Sequence, residues 1–424
     1  MKRRSVLFLM IAVLLLFAVG CAAGPAKTEE PNSSSSSMSV PSESESSAPP
    51  AETEERPEEP EGSASEESDA SSSGQSAVPA GPATTQELFA EGYPEAQELL
   101  ENMTLEEKVA QVFLFRCPSE NALAAVQTYQ PGGFMLFAKD FDGKTAEQVC
   151  AEMESYQQAS KIPMFLAVDE EGGTVVRVSR SANLAPKPFQ SGGMQAIVDD
   201  TVQKTQLLQS LGLNVNLAPV ADVSTNPADF MYARTFGQGA AETADYVKNS
   251  VATYNQQRMA CALKHFPGYG NNVDTHTGIA VDHRPYETFM ESDFLPFAAG
   301  IEEGAPMVLV SHNIVNCMDS EHPASLSPEV HRVLREDLGF TGLILTDDLS
   351  MEAIPAYTGG ENPCAAAINA GNDLLLSSDL QADYNALLAA VQDGTVTEER
   401  LDESVLRILA MKCCTQYQLE RVVG

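Results

Sequence analysis

From Lys264 to Gly278 the chain reads KHFPGYGNNVDTHTG, which gathers a lysine, two histidines, an aspartate and three glycines immediately after an apolar stretch. His276 follows Asp274 by two positions, so the carboxylate can accept a bond from one ring nitrogen, fix the tautomer and stabilise the imidazolium. An imidazole titrates near neutrality and can therefore donate a proton and take it back. A second candidate lies in LILTDDLSM, where an apolar run delivers Asp347 and Asp348. A carboxylate there suits the nucleophile of a retaining glycosidase, facing an acid on another segment. Asp347 is the expected nucleophile; Asp348, pointing to the other side of the chain, is expected to be structural. A solvated turn bearing a surface histidine is the plain alternative for the 264–278 segment. Gly268, Gly270 and Gly278 would let a working loop hinge over a substrate. Metal chemistry is disfavoured, because no His-x-His occurs and His265 and His276 stand eleven positions apart across the glycine-rich loop.

Such groups need a frame. Apolar runs at Val112–Phe115, Phe134–Phe137, Met164–Val168, Val215–Val220, Ala260–Leu263, Met307–Val310, Leu343–Leu345 and Asp373–Leu376 read as strands. Helical periodicity separates them, as in Glu242–Met259, with Val247, Val251 and Tyr254 at i, i+4 and i+7, and around Leu401, Val405 and Ile408. Eight β-then-α units with strands apolar on both faces predict an α/β fold, a closed parallel (β/α)8 barrel of the TIM type. A doubly wound open sheet is the alternative. A barrel demands polar groups where its strands end. Lys139 and Asp140, Asp169, Asp222 with Arg234 in the following loop, Lys264 and His265, His312, and Asp347 with Asp348 all fall at such ends.

The flanking sequence is of a different kind. MKRRSVLFLMIAVLLLFAVGC has a basic tip, an apolar run and a small residue before Cys21, the anatomy of a secretory signal over residues 1–20. A signal anchor is the alternative, but the Gly-Cys exit resembles the bacterial lipoprotein signal, which implies lipidation of Cys21 and an extracytoplasmic protein held to the membrane by lipid. Residues 21–83 are rich in Ser, Glu, Pro, Ala and Gly, with Lys27 and Arg56 facing thirteen acids. That composition predicts a disordered spacer between the anchor and a catalytic barrel at 84–424. The net charge of −35 argues against a nucleic-acid partner. The seven cysteines beyond Cys21 show no CxxC or Cys/His metal spacing, so neither a zinc site nor a disulfide framework is indicated.

Together the motifs resemble those of bacterial β-N-acetylglucosaminidases of glycoside hydrolase family 3, the single-barrel kind that trims peptidoglycan fragments. The resemblance covers residues 84–424. DEEGGTVVRV resembles the family's Asp-x-Glu-Gly-Gly-x-Val-x-Arg, which implies sugar contacts from Asp169 and Arg177. PVADVSTNPADFMYARTFG implies a further contact from Arg234, and KHFPGYG implies contacts from Lys264 and His265. Asp274 and His276 match the subgroup's acid/base dyad, and TDDLSM matches its nucleophile motif at Asp347. The chain departs from the pattern at Tyr269, where a histidine is usual, and at Thr174, often an arginine. The implied activity is retaining hydrolysis of terminal β-linked N-acetylglucosamine, without cofactor or metal. A phosphorylase using the same residues and a broader β-glycosidase stay open, as does a non-catalytic sugar-binding lipoprotein.

Overall fold

The computed structural model describes residues 88–178 and 189–417. The segments 1–20 and 21–83, with Cys21, lie outside the described residues. No described helix is long and apolar enough to cross a membrane.

Among the described residues ten strands form in chain order: β1 (Phe113–Arg116), β2 (Gly133–Leu136), β3 (Phe165–Val168), β4 (Val215–Asn216), β5 (Ala260–Phe266), β6 (Val281–Asp282), β7 (Met307–Val310), β8 (Ile314–Val315), β9 (Leu343–Thr346) and β10 (Leu375–Ser377). Eight make one sheet in the order β10-β1-β2-β3-β4-β5-β7-β9, with every neighbouring pair parallel. The order follows the chain around a ring, which excludes the doubly wound alternative. Its two edges meet at a parallel bridge, Leu345 to Leu374, and at bonds from Asp373 N and Leu374 N to the Ile344 carbonyl. The result is a barrel-like, nearly closed sheet. Both faces of β2, β3, β7 and β9 are buried, as continuous apolar runs between an inner core and an outer layer of helices require.

The helices form where the periodicity places them. Ala240–Gln256 buries Val247, Val251 and Tyr254, one turn apart on one face, and Tyr254 Oη accepts a bond from Asn216 Nδ2 at the end of β4 (2.8 Å). Glu398–Cys413 is N-capped by Thr397, whose side chain accepts from Arg400 N, and buries Leu401, Val405 and Ile408. Each fully buried Leu, Ile or Val contributes about 1.5–3 kcal/mol, so these stripes decide how the helices dock.

Three departures from expectation bear on the site. β4 is only two residues long, and the run to Val220 continues as irregular backbone with a single bridge, Val220 to Lys264. Pro219 has no N–H for a ladder there. β5, by contrast, extends through Lys264 and His265 to Phe266. The small pair β6 and β8, unforeseen in the sequence, aligns Val281 with Ile314 and Asp282 with Val315. It ties the loop after β5 to the loop after β7.

Candidate active site

The loops following the strands enclose a cleft of about 540 Å³ lined by Asp169, Arg177, Arg234, Lys264, His265, His276 and Asp347. Seven of the eight side chains expected to act as catalytic or sugar-contact groups thus share one cavity; the eighth, Asp274, binds His276.

The cleft floor is a charge network. Lys264 Nζ lies 2.7 Å from Asp169 Oδ1 and 2.7 Å from Glu171 Oε1, and Arg177 Nη2 reaches Asp169 Oδ2 at 3.4 Å. Glu171 is fully buried and receives Arg234 through Nη2 (2.6 Å) and Nε (3.1 Å), a fork matched to a carboxylate. Burial alone would raise the Glu171 carboxyl; Lys264 and Arg234 outweigh it and hold the group far below the usual carboxylate range. Burial likewise works against the charge on Lys264, but Asp169 and Glu171 raise it above its ordinary value. The cations are therefore fixed, charged and oriented before any ligand arrives. Glu171 was not singled out in the sequence. Its signal was the third acid of DEEGG, masked because Asp169 two positions earlier already satisfied the pattern. Glu170 serves the backbone instead, its Oε2 accepting from Arg177 N (2.8 Å) and Val178 N (2.9 Å) and so shaping the loop that carries Arg177.

His265 has a defined tautomer. Arg234 Nη2 lies 3.1 Å from its Nε2, and a guanidinium can only donate, so Nε2 accepts and the proton sits on Nδ1. That proton goes to Asp222 Oδ2 at 2.7 Å. Asp222 also accepts from His265 N (3.0 Å) and Tyr269 N (2.7 Å), so it organises the strand end without lining the cleft.

Asp347 follows β9, and its backbone N–H is held by the Val310 carbonyl at 3.0 Å. Burial would raise its carboxyl; His312, His265, the Asp348 N–H and Lys264 outweigh that and keep it below its ordinary value. It is thus an ionised carboxylate at neutral pH. His312 is fully buried; its Nε2 donates to the Asp348 carbonyl (3.0 Å) and its Nδ1 meets Ser325 Oγ (2.7 Å), so it supports the Asp347 loop from behind. Asp348 accepts from Ser350 N, Ser350 Oγ and Ser378 Oγ at 2.7–2.9 Å, the structural role expected of it, though it also borders the cleft.

His276 stands on the loop between β5 and β6, its side chain 61% exposed. Asp274 Oδ1 accepts from both its Nδ1 (2.7 Å) and its backbone N–H (2.9 Å). The stem of this loop is clamped at Gly268 and Gly270, two of the three glycines expected to hinge it, while Gly278 stands in open space. Arg284 joins buried Asp282 and Asp293 and donates to the Gly268 carbonyl (3.1 Å). A methyl on Gly268 would stand 2.3 Å from Asp293 Oδ1, and one on Gly270 2.4 Å from Arg284 Nη1 and Cζ, so these glycines make room for the clamp.

Lys139 and Asp140 are not part of this site. β2 runs into the short helix Ala138–Phe141, where Asp140 Oδ2 caps Phe137 N (2.8 Å) and Lys139 bonds the Cys117 carbonyl (2.9 Å). Both line a separate cleft beside Tyr156. A helical turn directly after a strand carries side chains away from the barrel mouth, and the apolar run alone does not signal it.

Residues 104–411 match the model of the glycosyl hydrolase family 3 N-terminal domain. The chain belongs to glycosyl hydrolase family 3. It is 30% identical over 326 residues to beta-hexosaminidase A of Pseudoalteromonas piscicida, a match covering 68% of this chain and 54% of that protein. To the beta-hexosaminidase of Xanthomonas axonopodis pv. citri it is 32% identical over 256 residues, covering 58% of this chain and 75% of the relative. Among solved structures, the family 3 beta-N-acetylglucosaminidase from Paenibacillus sp. str. FPU-7 superposes with a TM-score of 0.69 at 29% identity, over 73% of this chain and 62% of that one. The chain thus spans about half the length of the first of these relatives.

Proposed function

We propose that this family 3 protein is a retaining exo-β-N-acetylglucosaminidase, a β-N-acetylhexosaminidase, acting on terminal non-reducing N-acetylglucosamine of peptidoglycan-derived or related glycans. One observation carries the proposal: an ionised carboxylate on the rigid end of β9 and an Asp-held imidazole on the β5–β6 loop border the same cleft, beside a fixed cluster of cations and carboxylates. The hexosaminidase activity named for its relatives agrees with this. Asp169, Arg177, Arg234, Lys264 and His265 hold the sugar. Asp347 attacks the anomeric carbon while the glycosidic bond breaks, and the His276 imidazolium gives its proton to the departing oxygen. Asp274 orients the ring and offsets its charge. Neutral His276 then takes a proton from water, the hydroxide oxygen bonds to the anomeric carbon, and Asp347 leaves as carboxylate. Two inversions give retention.

Phosphate in place of water would make the enzyme a phosphorylase. The exposed imidazole favours keeping that reading, because a neutral ring does not repel phosphate as a second carboxylate would. We further propose that residues 1–20 are a signal, that Cys21 is lipidated and that residues 21–83 hold the catalytic part off an extracytoplasmic membrane surface. The test is turnover of an aryl β-N-acetylglucosaminide followed by NMR, with and without phosphate. β-configured N-acetylglucosamine as the first product is expected, and Asp347→Asn should reduce turnover to background. The α anomer as first product would overturn the nucleophile assignment, and a sugar phosphate would select phosphorolysis.

A further inference from the structure

His276 and Asp274 bind each other, and Thr277 N and Oγ1 bond only back to the Asp274 carbonyl, so neither contact tells the loop where to stand. Among the described residues, the hydrogen bonds joining segment 273–278 to the rest of the molecule converge on Thr275, between the two dyad residues. Thr275 is completely buried although His276 beside it is largely exposed. Its carbonyl accepts from Ala353 N at 3.3 Å, a link to the chain that follows Asp347. Its Oγ1 is hydrogen-bonded to Tyr269 Oη. Tyr269 is 2% exposed and fixed from the sugar side: its N–H donates to Asp222, and its ring meets the His265 ring edge-on with centroids 5.5 Å apart. The Phe230 ring also meets the Tyr269 ring, with centroids 6.0 Å apart.

We propose that the Tyr269 hydroxyl, through Thr275, is the positioning group that sets His276 at the departing oxygen, coupling the acid/base loop to the sugar-holding end of β5. This rests on the assignment of His276 as the acid. A phenol is rigid from Cβ to Oη, so it transmits the position of the strand end to the loop without a long flexible side chain. Its hydroxyl is engaged by Thr275, and its role is therefore in aiming the imidazole.

The consequence is specific to the leaving group. A mispositioned acid matters when the departing oxygen is a sugar hydroxyl and matters little when it is a readily ionised phenol. Single-turnover cleavage of a disaccharide and of an activated aryl glycoside is measured for wild type, Tyr269→Phe, Thr275→Val, the double variant and His276→Ala. Thr275→Val keeps the shape of the side chain and reads the same bond should Tyr269→Phe fold poorly. Both single variants should lose on the order of 10- to 10²-fold on the disaccharide, the cost of a misplaced reacting group, and less than about threefold on the aryl substrate. The double variant should be no worse than either single one, because both remove one bond. Equal losses on both substrates, or losses that multiply in the double variant, would overturn the proposal while a leaving-group-dependent His276→Ala leaves the acid assignment standing. If His276→Ala itself shows no leaving-group dependence, the assignment fails and the tether proposal fails with it.

Discussion

At the scale of single residues, Glu171 shows how a buried charge can serve a site without touching the reaction. Its two oxygens hold Arg234 and Lys264, whose side chains are 18% and 3% exposed. Removing one partner of such a cluster leaves uncompensated cations out of water, which costs about 3 kcal/mol or more. Glu171→Gln should therefore lower the unfolding free energy by that amount, read as a lower denaturant midpoint at unchanged slope, and raise KM, since Arg234 and Lys264 lose their fixed positions. An unchanged midpoint together with an unchanged KM would mean that Asp169 suffices to hold them. The residues legible in the sequence were those with a distinctive partner nearby: Asp274 with His276, Lys264 with His265, Asp347 at the close of an apolar run. Glu171 acts through Arg234 and Lys264, far along the chain, and no local spacing announces a bond across dozens of residues.

At the scale of elements, the alternation of apolar runs and helical periodicity was enough to place all eight barrel strands within a few residues. It failed where backbone chemistry intervened. Pro219 cuts β4 short, the helix at Ala138–Phe141 turns Lys139 and Asp140 outward, and the two-residue pair β6 and β8 is too short to leave a periodic trace. That pair matters, because with the Arg284 clamp it fixes both ends of the loop that carries His276. Gly270 lies at φ 53° against Arg284. Gly270→Ala should push the guanidinium off its two carboxylates at a cost of about 1–3 kcal/mol. The effect should appear as faster proteolysis within 267–283 and a lower kcat on disaccharide substrates. Unchanged cleavage of that segment would show that the clamp tolerates the methyl and is not what holds the loop.

At the scale of the molecule, the barrel closes over a second buried charge cluster away from the cleft. Asp373, fully buried just before β10, accepts from Ile344 N (2.9 Å) and Arg335 Nη2 (2.6 Å) and pairs with Arg407. Burial would raise its carboxyl; Arg407 and Arg335 outweigh that and hold it below its ordinary value. The folded state then binds this proton less readily than the unfolded chain, whose carboxyl titrates near ~3.9. Its contribution is therefore complete above about pH 4 and is lost as pH falls through the folded value. Asp373→Asn should destabilise the protein by about 3 kcal/mol at pH 7, since two arginines lose their partner at the seam. The variant and the wild type should converge below pH 4. A difference that stays constant from pH 7 to pH 3 would mean that packing, not charge, closes the seam.

The proposed division of labour between Asp347 and His276 can be read from the glycosyl-enzyme intermediate, which reports on both. With an activated aryl N-acetylglucosaminide, His276→Ala should still form the intermediate, because the phenol leaves unaided, but should hydrolyse it slowly for want of a base. The measurement is rapid quench followed by mass spectrometry of the digested variant. A burst of one phenol per enzyme is expected, with one N-acetylhexosamine on the peptide carrying Asp347, absent from the Asp347→Asn variant. A sugar on any other residue, or no adduct and no burst in the His276→Ala variant, would contradict this division of labour.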